Sequence, residues 1–168
     1  MTRCSEARQR GAELVEFALV LPAILLLLVG IVDFGAAFAL RQKMTNAARE
    51  CARIVVSEPL SDQSCQSATP CAIVAGANAA VAYMGNAGAS LACIQPAAPT
   101  SSSALEWTYA CAGGATLVIN RGYTISGPGG GLIPATQVTL TYPVAWCLGG
   151  LAPSAPIATQ VTMPDLVS

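Results

Sequence analysis

From Phe17 to Leu40 the chain carries one charged residue, Asp33, in 24 consecutive positions. As a helix, that run is about 36 Å long at about 1.5 Å of rise per residue, and a bilayer core is about 30 Å thick. Pro22 lies inside it. Proline removes one backbone donor and is expected to kink the helix, which membrane helices tolerate when neighbouring groups re-satisfy the freed carbonyl. The helical pattern does not stop at Leu40. Met44, Ala47, Ala48, Cys51, Ile54 and Val55 fall on one face, with Thr45, Asn46, Arg49, Glu50 and Arg53 on the other. The sequence predicts a long helix, transmembrane over residues 12–40 and amphipathic over 41–57, ended by Ser57-Glu58-Pro59.

Three readings compete for this segment: a plain transmembrane anchor, a secretory signal peptide with Ala37-Phe38-Ala39 as its small-x-small cleavage site, and a pilin-type leader. The apolar run is long for a signal peptide, and a removable peptide has no need to continue into a second, amphipathic helix.

The rest of the chain differs in kind. Seven of the eight basic residues lie at or before Arg53, and beyond Pro59 the charges are Asp62, Glu106, Arg121 and Asp165. Charged residues make up 10% of the chain, against about a quarter in ordinary soluble domains. The net charge of −1 does not suggest a nucleic-acid binder. Histidine is absent, which removes imidazole acid–base chemistry, the Ser-His and Cys-His nucleophile systems and imidazole metal ligation. Seven cysteines point to an oxidising compartment.

The polar-to-apolar junction reads Arg8-Gln9-Arg10-Gly11-Ala12-Glu13-Leu14-Val15-Glu16-Phe17. Here the sequence resembles the TadE-like pseudopilins of tight-adherence (Flp-type) pilus systems, in which a prepilin peptidase cuts after the glycine that ends a short basic leader. The resemblance makes residues 1–11 the leader, Gly11 and Ala12 the processing site, Glu16 the glutamate five residues beyond the cut and Phe17 the following aromatic. It continues through Leu19-Val20-Leu21-Pro22, Gly30-Ile31-Val32-Asp33-Phe34-Gly35, and Arg41-Gln42 to Ala47-Ala48-Arg49-Glu50, and weakens beyond to one strand, Val138 to Val144, ending Thr141-Tyr142-Pro143-Val144.

The chemistry gives that spacing a purpose. Cleavage creates an α-amino group at the membrane edge. Glu16, one helical turn further on, could neutralise such an amine on an adjacent subunit, since a charge near hydrocarbon is expensive unless paired. Glycine at the cut leaves the backbone room to lie extended in a protease. Alternatively, Glu13 and Glu16 are first-turn carboxylates that favour the helix dipole. Asp33 lies about 25 Å beyond Glu16. It either contacts a partner's transmembrane helix or reaches headgroup water. Basic residues flank both ends of the span, so the positive-inside rule does not orient it.

Residues 58–168 read as an exported, disulfide-stapled domain. Thr69-Pro70 looks like an N-cap followed by proline at the first helical position, opening a short helix over 70–85. Ile73, Val74, Ala77, Val81 and Met84 recur at its period. The period then changes to two. Strands are expected near 106–111, 116–125, 136–144 and 157–163, with Leu117, Ile119, Tyr123 and Ile125 on one parity and Pro143 at a strand edge or end. The plan is α+β: a long N-terminal helix packed on a small antiparallel sheet, pilin-like, with a second short helix. Cys4 would leave with the leader, and Cys51, Cys65, Cys71, Cys93, Cys111 and Cys147 remain as disulfide candidates. Cys65–Cys71 would close a small loop, Cys93–Cys111 would flank the serine-rich loop, and Cys51–Cys147 would tie helix to sheet. Spacing alone does not fix these pairings, and Cys51 can equally be a small buried residue.

No C-x-x-C motif, zinc spacing, phosphate loop or G-x-S-x-G occurs, so neither enzyme activity nor a cofactor or metal is expected. The resemblance implies a minor pseudopilin of the bacterial inner membrane, single-pass, with its C-terminal domain periplasmic or extracellular. It would assist assembly of a pilus or enter it. Its partners would be the membrane, a prepilin peptidase, a major Flp-type pilin, a second pseudopilin and the inner-membrane assembly platform. The alternative is a membrane-anchored or secreted β-rich binding module unrelated to pili.

Overall fold

A computed structural model of the chain describes residues 3–62, 64, 65, 67–144 and 155–165, with side chains from Glu13 onward. Helix α1 spans Arg3–Ser57 and α2 Cys71–Asn86. The strands are β1 Ser101–Ser102, β2 Glu106–Ala110, β3 Thr116–Ser126, β4 Leu132–Pro143 and β5 Pro156–Pro164. They form one sheet in the order β1-β2-β3-β4-β5, each strand antiparallel to its neighbours. The fold is α+β, as expected, and α1 runs unbroken through Pro22.

Helix α1 ends where Pro59 biases Glu58 out of the helical region. Ser57 Oγ donates to the Ile54 carbonyl at 2.8 Å. Helix α2 starts one residue later than expected. Thr69 is not its cap: its hydroxyl donates to the Ala97 carbonyl at 3.3 Å, and no side chain caps the helix. Pro70, extended at ψ 141°, takes the cap position, and its carbonyl accepts from the Ile73 and Val74 amides. At the other end Gly88 adopts φ +78°, a left-handed position that suits glycine, and the Ala89 amide closes back on the Met84 carbonyl at 3.0 Å. Lys43 of α1 donates to the Ala87 carbonyl at 2.9 Å, placing a cation at the negative end of α2.

The core is a three-way junction. Met44, Ala47, Ala48, Cys51, Ala52 and Val55 of α1 are buried against Ile73, Ala77, Ala80 and Met84 of α2 and against Trp107, Tyr109, Leu117, Ile119, Val138 and Leu140 of the sheet. Small side chains let the two helices approach closely. A Cβ placed on Gly76 would collide with Val55 Cγ2 and lie 3.2 Å from the Cys51 carbonyl oxygen.

Strand β3 does not keep one parity along its length. Asn120 pairs with Gln137, but Tyr123 pairs with Ala135, so one extra residue is inserted between them. The bulge breaks the expected shared face: Leu117 and Ile119 are buried, whereas Tyr123 is exposed. Arg121 turns inward instead. Its guanidinium donates to the Glu58 carbonyl at 3.0 Å and lies 3.7 Å from Asp165, which accepts from Thr136 Oγ1 at 2.6 Å. Strand β4 ends at Pro143, which faces Pro156 at the start of β5.

Two disulfides staple the loops, Cys65–Cys71 and Cys93–Cys111, both with Cα atoms 5.7 Å apart. Cys51 is a free, buried thiol and does not tie the helix to the sheet as expected, because its side chain faces the Gly76 contact with α2. Cys147 lies outside the described residues.

Candidate functional site

The distinctive surface is the N-terminal half of α1. From Glu13 to Val32 nearly every side chain is exposed, among them Leu14, Phe17, Leu19, Pro22, Leu25 to Leu28, Ile31 and Val32. This stretch is about 30 Å long and, beyond Glu13 and Glu16 at its start, apolar on all sides. Water does not stabilise such a rod, whereas lipid or neighbouring helices do. α1 is long and apolar enough to cross a membrane, with a mean hydropathy of 2.8 in its most apolar window.

The predicted site residues distribute along this rod. Gly11 and Ala12 lie within the helical backbone near its start. Glu16 and Phe17 follow, both exposed, and Pro22 lies further along the bare segment. Asp33 differs from its surroundings. It is 8% exposed and covered by the chain itself, so it does not project into headgroup water. Burial of α1 therefore begins at Asp33 and Ala37 rather than at residue 41. Beside Ala37 the neighbour is β5, whose Ile157 and Ala158 share a groove with Phe34, Ala37 and Phe38.

Past the span, α1 carries Arg41, Lys43, Arg49 and Arg53. Arg53 is bound by Glu50 at 2.6 Å. That hydrogen bond holds the Glu50 carboxyl below its usual range and the Arg53 guanidinium above its own. Burial pushes the Cys51 thiol up to about 12. Burial, with Cys51 nearby, also raises the Tyr109 phenol, which donates to the Pro96 carbonyl at 2.8 Å.

Sequence reasoning missed the Arg121–Asp165–Thr136 cluster. The available signal was compositional: a lone arginine in an almost uncharged domain needs a partner if it is buried, and Asp165 is one of only three acids beyond Pro59. Among the described residues no group of three or more Cys, Asp or Glu could hold a metal.

These features define an α+β protein carried on a single helix that can span a membrane, with its apolar half left bare by its own fold. Residues 11–53 match the family model described as TadE-like protein. The N-terminal segment is thus TadE-like, in agreement with the resemblance read from the sequence, and the match begins at Gly11 and ends inside α1. No curated protein and no solved structure matches the chain.

Proposed function

We propose that this protein is a minor pseudopilin of a tight-adherence pilus system, cut by a prepilin peptidase between Gly11 and Ala12 and held in the inner membrane by α1. One coincidence carries the reading. The segment that matches the TadE-like family contains the whole stretch, residues 13–32, whose apolar surface the fold leaves uncovered. A rod presented in this way suits lateral packing beside other helices in lipid. The two disulfides support a C-terminal domain facing an oxidising compartment.

The mechanism is non-enzymatic. Cleavage trims the helix at Gly11 and leaves a new α-amino group at Ala12. The helical peptide bond at Gly11 must open to enter a protease, and glycine makes that turn the easier one to unwind, by roughly 1 kcal/mol relative to alanine. Glu16 of one subunit then pairs with the amine of the next, and the bare faces pack while the sheet domain stays outside. Partners under this reading are the peptidase, the major pilin, a second pseudopilin and the assembly platform.

Substitution tests the two steps separately. Gly11→Ala should leave a full-length precursor, seen as an upward shift on immunoblots of membranes; normal cleavage would remove the site assignment. Glu16→Ala should be cleaved normally yet lower the number of surface pili. Wild-type piliation in that variant would count against pairing with the amine.

A further inference from the structure

The outer end of the span carries a groove with two chemically different halves. One half lies between α1 and β5 and is lined by Phe34, Ala37, Phe38, Ile157 and Ala158, with a volume of about 440 Å³. Arg41 also borders a second hollow of about 350 Å³, further along α1, shared with Thr45 and Arg49. An apolar trough that opens beside the membrane-spanning rod therefore meets guanidinium groups at its upper end.

The two arginines are differently placed from Arg53, which Glu50 engages. Among the described residues Arg41 and Arg49 form no ion pair. Helical side chains lean toward the helix N-terminus, here toward the bilayer. Arg49 starts about 12 Å above Arg41 along the axis, and its side chain leans back toward that level. Phe38, 65% exposed, lies one turn below Arg41, at the depth where aromatic side chains favour the membrane interface.

We infer that this groove binds one anionic phospholipid of the outward-facing leaflet. An acyl chain would lie along the trough between α1 and β5, and the headgroup phosphate would meet Arg41 and Arg49. The inference rests on the reading of α1 as a membrane span. Charge complementarity and continuity with the apolar rod favour lipid over a second copy of the chain. Seated in this way, the lipid fixes the height and tilt of the sheet domain above the bilayer, because β5 supplies one wall and α1 the other.

Native mass spectrometry of the full chain, released from nanodiscs of mixed phosphatidylglycerol and phosphatidylcholine, tests this directly. The wild type should retain one phosphatidylglycerol in preference to phosphatidylcholine, and 10-fold excess inorganic phosphate (roughly, relative to lipid) should not displace it. Each of Arg41→Gln and Arg49→Gln should weaken that preference about fivefold, the effect of about one basic residue at an anionic surface. Arg53→Gln should leave it unchanged. Equal retention of the two lipids by the wild type, or an undiminished preference in the Arg41→Gln/Arg49→Gln double variant, would overturn the inference while leaving the span intact. Lipid-free dimers lost on Arg41→Gln would assign the groove to a second copy and also overturn it. A chain that stays out of nanodiscs altogether would refute the span and the lipid site together.

Discussion

Gly76 shows how much a single position decides. Its missing Cβ is what lets α2 sit on α1 at Val55 and Cys51. Gly76→Ala should therefore destabilise the folded domain by about 1–3 kcal/mol, read as a lower denaturation midpoint in detergent, despite alanine's better helix propensity. Beside it, the Cys51 thiol is pushed up to about 12 by burial. Its folded value lies above the thiol's ordinary value of 9.0, so its contribution to stability is complete below that value and is lost as pH rises toward 12. The phenol of Tyr109 is shifted in the same direction. Stability should thus be flat through neutral pH and fall across pH 9–12, with a shallower fall in Cys51→Ala. An identical alkaline slope in that variant would show that the thiol is not the titrating group. The buried Arg121–Asp165 pair is the third residue-scale feature. Asp165→Asn leaves a guanidinium without its countercharge and should cost about 3–5 kcal/mol, measurable in the same denaturation experiment.

Among the elements, those with a strong period were legible. Helix α2 and the strands around Trp107, Leu117 and Val138 follow from alternation or helical spacing, because each buries one face and exposes the other. The bulge in β3 was not legible. It inserts one residue, sends Tyr123 outward and brings Arg121 in; the one local signal, Gly122 inside the strand, permits a bulge without fixing the shift of parity. Strand β1, at two residues, is too short to carry a period. The cap of α2 lies one residue further on, at Pro70, while the Thr69 hydroxyl donates to a distant loop at Ala97, a tertiary contact that local propensity does not contain. Pairing of the cysteines was legible where the loops are short and local, and misleading at Cys51, where helix–helix packing claims the side chain. The Cys93–Cys111 bridge closes the longer loop, with a separation of 18 residues against 6. Cys93→Ser/Cys111→Ser should therefore lose about 3 kcal/mol, more than Cys65→Ser/Cys71→Ser. Thermal melts of both pairs would check the order, and an inverted order would mean that strain or residual structure outweighs loop closure.

At the scale of the whole molecule the chain divides by solvent rather than by sequence. Residues 17–32 present apolar surface on every side, and further along β5, β4 and α2 pack against the same helix. One continuous rod thus serves two environments, which is why the helix could be read from its hydropathy while the point where coverage begins could not: that depends on tertiary packing against the helix. The leader glycine, the bare segment and the wrapped segment follow one another along α1, in the order that trimming, membrane insertion and display of the sheet domain require. The most direct test is the intact mass and N-terminal sequence of the mature protein purified from membranes. The mature chain should begin at Ala12 and keep all of α1 beyond it. A chain that begins at Leu40, recovered free of membranes, would contradict it.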